Sequence, residues 1–265
     1  GGDTHGNLSK LSDKKVGVIG TGATAIQCVP HLGEAAAHLY VFQRTPSSVD
    51  ERGNRPTDPK WAAGLEPGWQ QARIDNFSML ISGTPVDEDM VSDGWTDIIR
   101  NLSGMADHGA DAGSPEAIAR MVELADFQKM EEIRARVDAT VSDPSVAEAL
   151  KPWYRQFCKR PCFHDDYLPT FDRENVTLVD TDGRGVECIT KDGAVVGGKE
   201  YALDCLIFAT GFEVGTDYSR RAAMEIRGTS GKTLTDHWKD EVRTLHGLMT
   251  DGFPNLFLMG GMQSG

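Results

Sequence analysis

Residues 16–29, VGVIGTGATAIQCV, decide how this chain is read. They open as a short apolar run, pass through a glycine-rich turn, and resume with apolar residues at helical spacing. Residues 15–20 (KVGVIG) predict a buried strand, and residues 23–36 a helix with Ile26, Val29, Pro30 and Leu32 on one side. Pro30 lacks an amide hydrogen, so it is expected to kink or shorten that helix. Residues 38–44 (HLYVFQR) predict a second strand. Strand, turn, helix and strand within about 30 residues form a βαβ unit, hence parallel pairing and an α/β architecture.

The turn itself, Gly20-Thr21-Gly22-Ala23-Thr24-Ala25, has the spacing GxGxxA. Gly20 permits a tight turn, Gly22 lets the backbone approach a pyrophosphate, and Ala25 is small enough for close helix–strand packing. The exposed amides and positive dipole end of the helix would then face the phosphates. The end of the second strand selects the nucleotide. An NAD site places an acid there to accept the ribose hydroxyls. This chain has Gln43-Arg44-Thr45, with Arg44 lying 24 residues after Gly20. A guanidinium grips a 2′-phosphate that a carboxylate would repel, so the sequence points to NADP(H).

Composition narrows the setting. Forty acidic against 27 basic residues give a net charge of −13, which argues against a nucleic-acid partner. No apolar run approaches the length of a membrane span, and no export signal opens the chain. Five cysteines, an odd number, then favour reduced thiols and a cytoplasmic location. Cys158 and Cys162 bracket CKRPC with His164 nearby, but a lone CxxxC lacks the further ligands of a zinc site, and no metal is assigned.

Along the chain, residues 51–157 read as a mainly helical insertion after the first part of a nucleotide-binding domain (1–50). Ser114-Pro115-Glu116 and Asp143-Pro144 are helix-start signals; Ile118, Met121, Val122, Ala125, Met130, Ile133 and Val137 keep helical spacing, with the methionines read as core filler. Residues 158–215 return to the sheet, with a hairpin segment around Asp192-Gly193, and residues 216–265 form a further segment. Strands are expected over NVTLVDT, GVECIT, AVVGG, EYALD, CLIFATGF and finally NLFLMGG at 255–261. The fold class is therefore α/β: a Rossmann-like parallel sheet with a helical insertion and an additional antiparallel β segment. GTSGKT at 228–233 ends like a P-loop but has Ile226 where that motif needs glycine, and is rejected.

Four segments in order, VGVIGTGATAIQ, VFQRTP (41–46), CKRPCF (158–163) and LIFATGFEV (206–214), supported by FPNLFLMGG, resemble the flavin-dependent NADPH monooxygenases of Baeyer–Villiger type. The resemblance implies FAD, reduced by NADPH, which forms with O₂ a flavin peroxide that converts a ketone to an ester or lactone. It implies that Gly20 to Ala25, with Gln27, hold the NADP(H) pyrophosphate. Arg44, Thr45 and Lys159 would surround the 2′-phosphate, Arg160 would be the active-site arginine, and Ala209-Thr210-Gly211 would approach both nucleotides. The family's glycine fingerprint for FAD and its signature segment before the NADP strand are absent. The sequence thus resembles a fragment, with an incomplete FAD site and no expected turnover alone. An N- or S-oxygenating flavin monooxygenase and a non-catalytic NADP(H)-binding module stand as alternatives.

Overall fold

The structure is a computed structural model and describes residues 8–97, 114–212, 219–220 and 223–259. The chain divides into two compact units, Gly1–Gly211 and Phe212–Gly265.

The first unit is built on four parallel strands: β1 (Lys15–Ile19), β2 (His38–Gln43), β5 (Val176–Asp180) and β9 (Cys205–Phe208), in the order β5-β2-β1-β9. Its core faces are continuous aliphatic runs, as a parallel sheet covered by helices requires, with Val16, Val18, Leu39 and Val41 fully buried. Helix α1 (Ala23–Ala35) crosses from β1 to β2 and buries Ala25, Ile26, Val29 and Leu32 against them. Pro30 does not shorten this helix, which runs on to Ala35 with Pro30 buried inside it.

Between β2 and β5 lie β3 (Val49–Asp50), α2 (Pro59–Ala63), α3 (Trp69–Ile81), α4 (Pro115–Thr140), α5 (Pro144–Leu150) and β4 (Cys162–Phe163). Helix α4 starts where Ser114 caps it, the Ala117 amide donating to Ser114 Oγ at 3.2 Å. Helix α5 starts the same way, with Asp143 accepting from the Ser145 amide at 2.8 Å. β3 and β4 pair in parallel as a separate two-stranded ribbon. A three-stranded antiparallel sheet, β6 (Cys188–Ile189), β7 (Gly193–Val196) and β8 (Lys199–Ala202), packs Tyr201 edge-on against Tyr40 and Phe42, with ring centroids 5.4 and 5.5 Å apart. The expected α/β fold, with its parallel sheet, helical insertion and antiparallel segment, is present.

In the second unit, α6 (Leu234–His237) follows a tight turn in which Arg227 bridges Thr233, and Leu245 bridges Met249. Residues 228–233 are thus a turn, not the strand-to-helix setting of a P-loop. The strand expected over 255–261 does not form within 255–259, and 260–261 lie outside the described residues. Only Leu258 is buried there, while Phe257 and Met259 are exposed, and the bond from the Leu258 amide to Leu248 O at 2.8 Å does not extend into a strand ladder among the described residues. Among the described residues, no helix is long and apolar enough to cross a membrane.

Candidate nucleotide site

The C-terminal ends of β1, β2 and β9 meet at the glycine turn, the place where open α/β sheets receive ligands. Gly20 has φ +114°, and a Cβ there would run into the backbone carbonyl of Ala209. Only glycine lets the β1 and β9 ends lie this close, with the Gly20 amide bonding Phe42 O at 3.0 Å and the Ala209 amide bonding Ile19 O at 2.9 Å. Gly22 is different: it is exposed, and a Cβ would meet nothing within 4 Å. It is the residue before α1, and its side chain supplies no cap. The first intrahelical bond runs from the Ile26 amide to Gly22 O at 3.0 Å. The amides of Ala23, Thr24 and Ala25 therefore have no protein acceptor among the described residues, and Thr24 lies open to solvent with Ala23 half-buried. Ala25 is fully buried against the sheet, whereas Gln27 is exposed and donates back to Ala23 O at 2.9 Å.

Arg44 stands just past β2, exposed, and the β2 end is fixed beneath it. Gln43 is fully buried and donates to Ala149 O of α5 at 2.7 Å, while its own carbonyl accepts from Thr181 Oγ1 at 2.8 Å. Thr21 Oγ1 donates to Thr45 O at 2.7 Å, which ties the glycine turn to the residue after Arg44. Lys159 donates through Nζ to Thr45 Oγ1 and to Pro46 O, the latter at 3.2 Å. Burial, and after it the charge of Arg44, hold the Lys159 pKa below the ordinary lysine value. More than a hundred residues of sequence separate Lys159 from Arg44 and Thr45, and the structure brings it to them.

Arg160 is exposed, two residues before β4. Ala209 is buried at the end of β9, followed by exposed Thr210 and by Gly211 at φ +99° with open space around its Cβ position. Glu213 and Val214 of the LIFATGFEV motif lie outside the described residues. Among the described residues, no carboxylate forms an ion pair with Arg44, Lys159 or Arg160. In a chain with an excess of 13 negative charges, unneutralised Arg44 and Lys159, on the segment that Thr21 ties to the open N-terminus of α1, form an anion-attracting surface.

Several supporting residues escaped sequence reading. Helix α4 holds the β3–β4 ribbon through two cations, buried Lys129 and half-buried Arg136. Lys129 Nζ lies 2.7 Å from carboxylate oxygens of both Asp50 and Asp97, and Arg136 donates to Val49 O at 2.9 Å and His164 O at 3.2 Å. A signal did exist: Lys129 interrupts the four-residue stripe Ala125, Ile133, Val137, so a charge sits on the buried face. Asp165 accepts the amides of Arg52, Gly53 and Asn54, and Tyr154 Oη accepts the amide of Ser48, with nothing local in the sequence to announce either.

Against known proteins, no family model matches the chain. A Baeyer–Villiger monooxygenase of Stachybotrys chlorohalonatus is 54% identical over 264 residues, covering 99% of this chain and 42% of the relative. The chain is similar, along its whole length, to part of the Baeyer–Villiger monooxygenases. Among solved structures, the polycyclic ketone monooxygenase from the fungus Thermothelomyces thermophila superposes at TM-score 0.80 with 44% identity, over 94% of this chain and 42% of that one. OTEMO in complex with FAD and NADP superposes at TM-score 0.68 with 28% identity, over 95% of this chain and 47% of that one. The chain thus spans under half the length of the Baeyer–Villiger monooxygenases it matches.

Proposed function

We propose that this chain carries the NADP(H) site and the active-site arginine of an NADPH- and FAD-dependent Baeyer–Villiger monooxygenase, which uses O₂ to turn a ketone into an ester or lactone. The observation that carries the reading is the open N-terminus of α1, tied through Thr21 and Thr45 to the segment that bears Arg44 and receives Lys159, neither cation neutralised by a described carboxylate.

The residues fit NADP(H). The free amides of Ala23 to Ala25 and the dipole end of α1 suit a pyrophosphate, and the missing Cβ of Gly22 leaves room for its approach. Arg44, Lys159 and Thr45 suit a 2′-phosphate, which NADH lacks. For FAD, the uncovered backbone at Thr210 and Gly211 suits the close approach of a planar ring system. FAD, when bound, supplies the oxygen-activating chemistry. Arg160 places a fixed positive charge where oxygen insertion beside a carbonyl develops negative charge, and it disfavours protonation of an anion held next to it. The similarity to a polycyclic ketone monooxygenase and to an enzyme solved with FAD and NADP supports the same assignment.

The test is Arg160→Ala in the FAD-loaded full-length protein. Flavin reduction by NADPH should persist, while ketone oxygenation should fall by about 10²–10³-fold, the usual loss when one charge-stabilising group is removed. Oxygenation near the unmodified rate would refute the role given to Arg160.

A further inference from the structure

The cation that meets the 2′-phosphate is held in an unusual way. Lys159 Nζ sits 4.6 Å above the ring centroid of Tyr154, five residues earlier in the chain. The hydroxyl oxygen of that tyrosine accepts the amide of Ser48 at 2.8 Å, which fastens the ring to the segment leaving β2. The same segment supplies the oxygens, on Thr45 and Pro46, to which Lys159 donates. Tyr154 therefore touches both walls of the site, the Arg44–Ser48 side through its hydroxyl and the Lys159 side through its face.

A carboxylate would also hold a lysine in place, but it would neutralise the charge and compete with an incoming phosphate. An aromatic face orients an ammonium through the ring quadrupole and leaves its positive charge available to a ligand. Burial pushes the Tyr154 hydroxyl up from its ordinary pKa, so the ring stays neutral and adds no negative charge at physiological pH. Burial first, and then the like charge of neighbouring Arg44, lower the Lys159 pKa, and a neutral seat holds the lysine beside that like charge.

We infer that Tyr154 is a positioning residue for coenzyme choice: its ring presents Lys159, unneutralised, to the 2′-phosphate of NADPH and thereby sets the preference over NADH. The inference rests on the NADP(H) reading above.

The experiment titrates the purified protein with NADPH and NADH in five forms: unmodified, Tyr154→Phe, Tyr154→Leu, Lys159→Ala and the double variant Tyr154→Leu/Lys159→Ala. Tyr154→Leu should weaken NADPH by about 3–10-fold, as expected for a partly desolvated cation–π contact, and leave NADH within about 2-fold. Tyr154→Phe keeps the ring and should keep most of the preference. The double variant should bind NADPH no more weakly than Lys159→Ala alone, because the tyrosine acts through the lysine. Should Tyr154→Leu not fold, a trifluorinated phenylalanine at 154 keeps the ring's shape while removing its negative face, and should produce the same NADPH-selective loss. Equal weakening of both coenzymes, or an additive loss in the double variant, would reduce Tyr154 to a structural prop and overturn the inference. An unmodified protein that binds NADH as tightly as NADPH would instead overturn the nucleotide reading itself.

Discussion

The side-chain hydroxyl of Thr21, inside the glycine turn, donates to the carbonyl oxygen of Thr45 at 2.7 Å. The glycine turn and the strand tip that carries Arg44 are thereby one piece, although they leave the sheet from different strands. Thr21 is buried, so its hydroxyl has little access to water as an alternative partner.

Replacing that hydroxyl by a methyl tests the tie. Thr21→Val should cost about 1 kcal/mol of stability, the net worth of one such bond, because exposed Thr45 regains water at its carbonyl. NADPH affinity should drop by more than NADH affinity, since Arg44 loses its fixed relation to the turn. Denaturant unfolding and coenzyme titration on the same preparation check both statements, and unchanged affinity for both coenzymes would sever the link.

Gly20 is the position where sequence and geometry agree most tightly. Gly20→Ala forces a side chain into a left-handed backbone conformation and against the Ala209 carbonyl, so the β1 and β9 ends must part. The expected loss is at least about 2 kcal/mol, read from the shift of the denaturation midpoint. A loss below about 0.5 kcal/mol, the range of ordinary surface substitutions, would mean that the turn is not as described.

Asp165 governs behaviour in acid. Burial alone would raise its pKa, but the bonds from the amides of Asn54, Gly53 and Arg52 outweigh burial and hold it below the ordinary value. A carboxylate with a depressed folded-state pKa contributes stability above its unfolded value of about 3.9 and loses it as the pH falls through the folded one. Asp165→Asn should therefore flatten the stability curve below about pH 4 while lowering stability at neutral pH. Parallel acid limbs for the two proteins would show that these three bonds do not favour the ionised form.

How much of this was legible in the sequence follows from how local each signal is. The βαβ unit was, because its apolar periods and its glycine spacing lie within about 30 residues and each residue type answers a local demand. The helix starts at Ser114 and Asp143 were legible for the same reason, since a cap and a following proline act within one turn. The expected strand at 255–261 failed within the described residues because an apolar run states a wish for burial, not the presence of a partner strand. Of the two effects expected of Pro30, shortening does not occur, because burial on the sheet face supports a helix that forgoes one bond there. Lys159 and Arg160 were reached through resemblance, and the structure adds what no local pattern contains: Lys159 lies against Thr45, 114 residues away in the chain. Tyr154 and Asp165 stayed invisible because their partners are 106 and 113 residues distant, while Lys129 left a signal only as a charge within an apolar stripe, with no hint of its partners.

The central claim is that the open end of α1 and the tip of β2 together hold the phosphorylated adenosine half of NADPH. Its most direct measurement is the pair of dissociation constants for NADPH and NADH, in the unmodified protein and in Arg44→Ala. One charge-assisted contact is worth about 1.5–3 kcal/mol, so Arg44→Ala should weaken NADPH by about 10–100-fold and change NADH by less than about 2-fold. Equal losses for the two coenzymes would contradict the account, because a guanidinium that does not meet the 2′-phosphate cannot tell them apart.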